Sequence, residues 1–210
     1  MKLLNKNAFT ILWRTIRYNL KIIFAGRFIW FLIASFAFYI FFAIMQVYNS
    51  QSVGEGNIYN LLLFPGVLLV FYPSVFGIQN DEDSRILEIL FGIPNYRYKV
   101  WLVRLAMIYI QVFIILIGYG YLSSYLLYPI HPFEMAVQLM FPIGFLGAGA
   151  FMFSTLIKNG NGTAVIMILI GVALLILSDS IAHSQWNIFL NPMELPDNFN
   201  AIIWNGIVTR

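Results

Sequence analysis

The chain has 210 residues, 60% of them hydrophobic and 10% charged, with a mean hydropathy of +0.80 and a formal net charge of +3. Soluble domains carry about 25% charged residues, so this composition excludes a water-soluble globular fold. The absence of cysteine excludes a disulfide framework, a thiol nucleophile and a thiolate metal site.

Residues 6–26 open the chain as an amphipathic stretch. Lys6, Thr10, Arg14, Arg17 and Lys21 recur at spacings of four and three, and Phe9, Trp13, Ile16, Leu20, Ile23 and Phe24 fill the other face. A basic stripe opposite an aromatic and aliphatic one predicts an interfacial helix, held by apolar burial and anionic headgroups. Residues 1–27 are thus read as an interfacial segment on the cytoplasmic surface, with Arg14, Arg17 and Lys21 toward water and headgroups. The basic region is long for a signal peptide and no small-residue cleavage site follows the apolar run, so that run is read as a retained span.

Charge-free runs cover 28–54, 56–80, 105–130, 135–157 and 159–178. A bilayer core of about 30 Å needs roughly 20 apolar helical residues, and each run supplies them. Unalternating apolar runs exclude a β-barrel, the other fold that satisfies its backbone in lipid. The fold class is all-α and polytopic, with predicted spans at about 28–47, 58–78, 101–122, 134–156 and 163–182. Pro65 and Pro73 fall inside the second span and are expected to kink it. Gly144, Gly147 and Gly149 in the fourth are expected to form a helix-packing face. Residues 183–210, with Trp186, Pro192, Pro196 and Trp204, read as a re-entrant or interfacial segment on the outer side.

The basic residues set the orientation. Lys2, Lys6, Arg14, Arg17, Lys21 and Arg27 precede the first span, Arg85, Arg97, Lys99 and Arg104 separate the second from the third, and Lys158 separates the fourth from the fifth. The segments 49–57 and 123–134 contain none. The positive-inside rule therefore expects the N-terminus, the 79–104 segment and Lys158 in the cytoplasm.

Candidate chemistry is sparse. The sequence has no G-x-x-x-x-G-K-[ST] phosphate loop, no H-E-x-x-H and no G-x-S-x-G. Asp81, Glu82 and Asp83 are consecutive, so a helix points them to different faces and a shared metal is disfavoured. They fit better as the acidic first turn of a helix capped by Asn80. His131 with Glu134, and Asp179 with His183, have helical spacings that would allow a transition-metal pair, although polar residues at span ends are the commoner origin of such a pattern. No charged residue lies deep in a span, whereas ion-coupled transport normally uses one. Energy is therefore expected to arrive mechanically, from outside the bilayer.

The segment from Asp81 to Arg104 holds eight charged residues (Asp81, Glu82, Asp83, Arg85, Glu88, Arg97, Lys99 and Arg104) in an otherwise apolar chain. Its acidic start, followed by L-E-I-L-F-G-I-P and a basic residue ten positions after the proline, resembles the first cytoplasmic loop of ABC-2-type transporter permeases. Leu87, Glu88, Leu90 and Pro94 match that family's pattern and Arg104 takes the place of its lysine. Arg85 and Val103 stand where the family has glycine. The resemblance implies a coupling helix at about 81–92 that docks on a separate ATP-binding subunit. Asp83, Arg85 and Glu88 would offer charge pairing there, and Ile86, Leu87, Leu90 and Phe91 an apolar plug ahead of Pro94. It further implies a second permease copy or paralogue, a hydrophobic or amphipathic cargo exported across the cytoplasmic (inner) membrane, and a sixth span after Arg210. ATP and Mg would be held by the partner ATPase, with no cofactor on this chain. Nucleic acid is not among the expected partners. A lipid-modifying membrane enzyme and a membrane scaffold for a cytoplasmic protein are the competing readings.

Overall fold

The structure, a computed structural model, describes residues 28–48, 53–83, 101–180 and 187–193. Five α-helices hold most of them: α1 (Phe28–Tyr48), α2 (Glu55–Asp83), α3 (Val103–Leu126), α4 (Pro132–Ile157) and α5 (Gly160–Ser180). All five are long and apolar enough to cross a membrane, so the described part of the chain is that of a multi-pass membrane protein. Helices are the form these segments must take, because each satisfies its backbone within itself where no water is available. The interfacial stretch with Arg14, Arg17 and Lys21 lies outside the described residues, as do Arg85, Ile86, Leu87, Glu88, Leu90, Phe91, Pro94 and His183.

Successive helices run up and down, with short turns joining α3 to α4 (residues 127–131) and α4 to α5 (residues 158–159). The start of α1, the end of α2, the start of α3, the end of α4 and the start of α5 gather at one end of the bundle, which carries Arg104 and Lys158 and is called the basic end here. At the far end, Ser124 Oγ and Ile130 bond each other across the α3–α4 turn, and Pro132 packs against Gly120.

The helix α2 is the hub. It packs against each of the other four helices, and 67% of its best apolar window is buried, against 33% or less in the others. The other helices turn large apolar side chains outward, among them Trp30, Phe41, Ile114, Phe145 and Ile168, as lipid contact requires. Contact between α2 and α4 relies on reciprocal small-to-large fits. A Cβ on Gly66 would run into Ile143 Cδ1, and one turn further a Cβ on Gly147 would sit 2.8 Å from Val70 Cγ2. The glycine face expected in α4 is thereby narrowed to one residue. Gly144 has open space where its Cβ would be, and Gly149 meets only Met167 at 3.8 Å.

Pro65 and Pro73 lie inside α2 as expected, and Pro142 lies inside α4. One expectation needs correction. The helix continues unbroken through Asn80 to Asp83, so Asn80 is interior and caps no new helix. Its 29 residues measure about 43 Å at 1.5 Å per residue, longer than the roughly 30 Å hydrocarbon core. The helix thus reaches the border of the charged segment in one piece.

Candidate functional site

The candidate site is the basic end of α2, where the apolar helix passes into the charged segment. Gly160, the first residue of α5, abuts it so closely that a Cβ there would run into the Phe76 ring. That approach lets the Gly160 N–H donate to Gln79 Oε1 at 2.6 Å. A helix N-terminus has backbone donors without intrahelical partners, and the Gln79 side chain satisfies one from another helix. Asn159 serves as the local cap: its Oδ1 accepts from the Gly162 N–H at 3.1 Å, and its carbonyl accepts from Thr163 Oγ1 at 2.8 Å.

The turn that presents Gly160 is short. Lys158 ends α4 in the left-handed conformation at φ 56° and donates its N–H to the Ser154 carbonyl at 3.1 Å. Ser154 points its own hydroxyl across to α2, where Oγ donates to the Val75 carbonyl at 2.8 Å in a fully enclosed position. Val75, Phe76 and Gln79 of α2 are therefore all engaged with the end of α4 or the start of α5. On the α3 side, the Arg104 guanidinium lies beside Gly77, with a Cβ there 3.7 Å away. Trp101, just before α3, meets Phe151 of α4 edge-on, with ring centroids 6.2 Å apart.

A second polar cluster lies inside the bundle between α1 and α3. Tyr39 and Tyr119 stack at 5.2 Å with planes 7° apart. The Tyr39 hydroxyl bonds Ser123 Oγ at 2.9 Å, and Ser35 Oγ bonds the Tyr119 hydroxyl at 3.2 Å. Ser35 Oγ also donates to the Pro65 carbonyl of α2 at 3.4 Å. Buried hydroxyls need partners, and here they supply one another. This is a structural seam joining three helices.

The residues singled out in the sequence divide as follows. His131 stands at the extended N-cap position of α4 and Glu134 in its first turn, both exposed. Asp179 lies in the last turn of α5 and Asp83 at the end of α2, each with its side chain outside the described set. Among the described residues, no three or more His, Cys, Asp or Glu side chains gather to hold a metal. Sequence reasoning passed over Gln79, Ser154 and Gly160. The run K-N-G-N-G-T at 158–163 carried a turn-and-cap signal for Gly160, but nothing marked its partner Gln79, 81 positions earlier.

Part of the re-entrant expectation for 183–210 falls within the described residues. Buried Asn187 accepts from Ser178 Oγ at 3.0 Å and donates to the Ser178 carbonyl at 3.2 Å. Asn191 Nδ2 donates to the Gly56 carbonyl at 2.9 Å, and Phe189 packs among apolar residues of α2, α4 and α5. Residues 187–193 thus fold back onto the far end of the bundle, tying the end of α5 to the start of α2. No family profile matches the chain, and comparison with curated proteins and with solved structures returns no match either.

Proposed function

We propose that the chain is the membrane-spanning permease subunit of an ATP-binding-cassette exporter. It moves a hydrophobic or amphipathic molecule across the cytoplasmic membrane, using energy from a separate ATPase subunit. The observation that carries this reading is the course of α2. It touches every other helix of the bundle, and it runs in one piece to Asp83, where the charged segment begins. A load applied to that segment would reach the whole bundle through packed side chains, which is what an externally driven transporter requires. The motif around Leu87, Glu88, Leu90 and Pro94 adds the family resemblance. In this reading nucleotide and Mg are held by the partner, consistent with the lack of a phosphate loop in this sequence. A second copy or paralogue completes the pathway for the cargo.

Purification of the chain together with the ATPases encoded beside its gene tests the reading. The parent should retain an ATPase, and Leu87→Asp and Leu90→Asp should release it, because a buried charge in an apolar plug is costly. If no ATPase is retained, or retention ignores both substitutions, the reading falls. Capture of a cytoplasmic protein without nucleotide hydrolysis would favour a scaffold.

A further inference from the structure

The buried core of the bundle falls into two clusters, and the fully buried residues of α2 divide between them at Pro73, with partly buried Val67 and Phe76 packed against both and Phe71 against the smaller. The larger cluster takes Ile58, Leu62, Leu69, Val70 and Tyr72 from α2, and the smaller takes Val75 with Leu146, Ala150 and Met167. Interhelical side-chain hydrogen bonds divide at the same place, while the Tyr72 and Phe76 rings meet across Pro73 at 5.4 Å. Before Pro73, α2 is tied to α1 by Ser35 on the Pro65 carbonyl and by the Phe31–Tyr72 stack at 4.5 Å. Beyond it, α2 is tied to the α4–α5 turn by Ser154 on the Val75 carbonyl and by the Gly160 N–H on Gln79. Pro73 itself lacks an N–H, so the Leu69 carbonyl loses its bond within the helix, and kinks in long helices concentrate at such points. Pro65 has the same chemistry but is braced by Ser35 and by the Gly66 contact with Ile143.

We propose that Pro73 is a hinge in α2 and that Gln79 and Ser154 are positioning residues. They grip the α4–α5 turn so that it moves as one body with residues 74–83. The proposal rests on the functional reading above and adds the route by which the charged segment's motion enters the bundle. Motion is passed to the α4–α5 turn, while the part of α2 before Pro73 stays with α1 and, through the Gly66–Ile143 and Val70–Gly147 fits, with the middle of α4. The guanidinium of Arg104 beside Gly77 ends a long side chain that can follow the moving piece. A hinge with a gripped lever is one of the standard forms of domain-scale switching.

The test uses the cysteine-free parent carrying spin labels at Leu102→Cys and Lys158→Cys, two exposed positions on α3's side and on the turn. With the ATPase bound in nanodiscs, ATP and vanadate should shift the distance between the labels. Gln79→Leu and Pro73→Ala should abolish that shift while the ATPase stays bound. Gln79→Glu should keep it, because a carboxylate oxygen still accepts the Gly160 N–H and suits a helix N-terminus. Shifts equal to the parent's in both Gln79→Leu and Pro73→Ala would overturn the proposal. Should Gln79→Leu fail to fold, Pro73→Ala and Gln79→Glu decide the matter alone. If the parent binds no ATPase, the functional reading fails by itself. The hinge is then judged on the lone chain, where Pro73→Ala must narrow the distance distribution and an unchanged width refutes it.

Discussion

At the scale of single residues, glycines of one helix have opposite reasons to be glycine. A methyl at Gly147 would press on Val70 at 2.8 Å and on the Tyr109 ring at 3.0 Å, whereas one at Gly144 meets nothing within 4 Å. Alanine is the better helix former by about 1 kcal/mol, so Gly144→Ala should leave the melting temperature in detergent unchanged or raised. Gly147→Ala should lower it, because overpacking a tight contact costs about 1–3 kcal/mol. Equal behaviour of the two variants would show that α2 and α4 do not meet as described. The sequence alone made these glycines equivalent, since small residues three and five positions apart differ only in which face the fold turns inward.

At the scale of elements, α1 joins α3 through side chains that cross from one helix to the other. Tyr39 with Ser123 and Ser35 with Tyr119 form the polar part of that contact, and the stacked tyrosine rings form its apolar part. Interhelical hydrogen bonds in membranes contribute about 0.6 kcal/mol on average and about 1.7 at most. A double-mutant cycle of Tyr39→Phe and Ser123→Ala, read by unfolding in mixed micelles, should therefore return a coupling of that size. Zero coupling would mean that the seam does not form. The positions of the spans were legible because unbroken apolar runs admit only a helix in lipid. Which helix is central was not legible: helices that are apolar all round carry no stripe to show which side is buried. The extension of α2 past Asn80 was hidden for a related reason. A polar run after an apolar one looks like a new start, although helical hydrogen bonding continues regardless of side-chain polarity.

At the scale of the whole molecule, the up-and-down order of five helices turns the distribution of basic residues into a statement about sides. Arg104 and Lys158 belong to one end of the bundle, and Tyr128 and His131 to the other. The positive-inside rule expects the first end in the cytoplasm. With no native cysteine to remove, Lys158→Cys should react with a membrane-impermeant maleimide in inverted vesicles and not in intact cells, and Tyr128→Cys should do the reverse. Labelling of both from one side would refute the topology. The candidate site was only half legible at this scale. Its charged segment stood out by composition, but the Gln79–Gly160 contact pairs residues 81 positions apart and needed the folded bundle to appear.

The central position of α2 also bears on how the protein is made. Chains are synthesised from the N-terminus and their parts fold in that order, so α2 enters the bilayer before α4 and α5 exist. For that interval the faces of Gly66, Val70 and Phe76 are without their partners on α4 and α5, and the hydroxyl of Ser154 and the N–H of Gly160 are not yet available to Val75 and Gln79. The helix on which every other one rests is thus the one that waits longest for its neighbours, and the bundle's assembly is completed from its last-made hairpin inward.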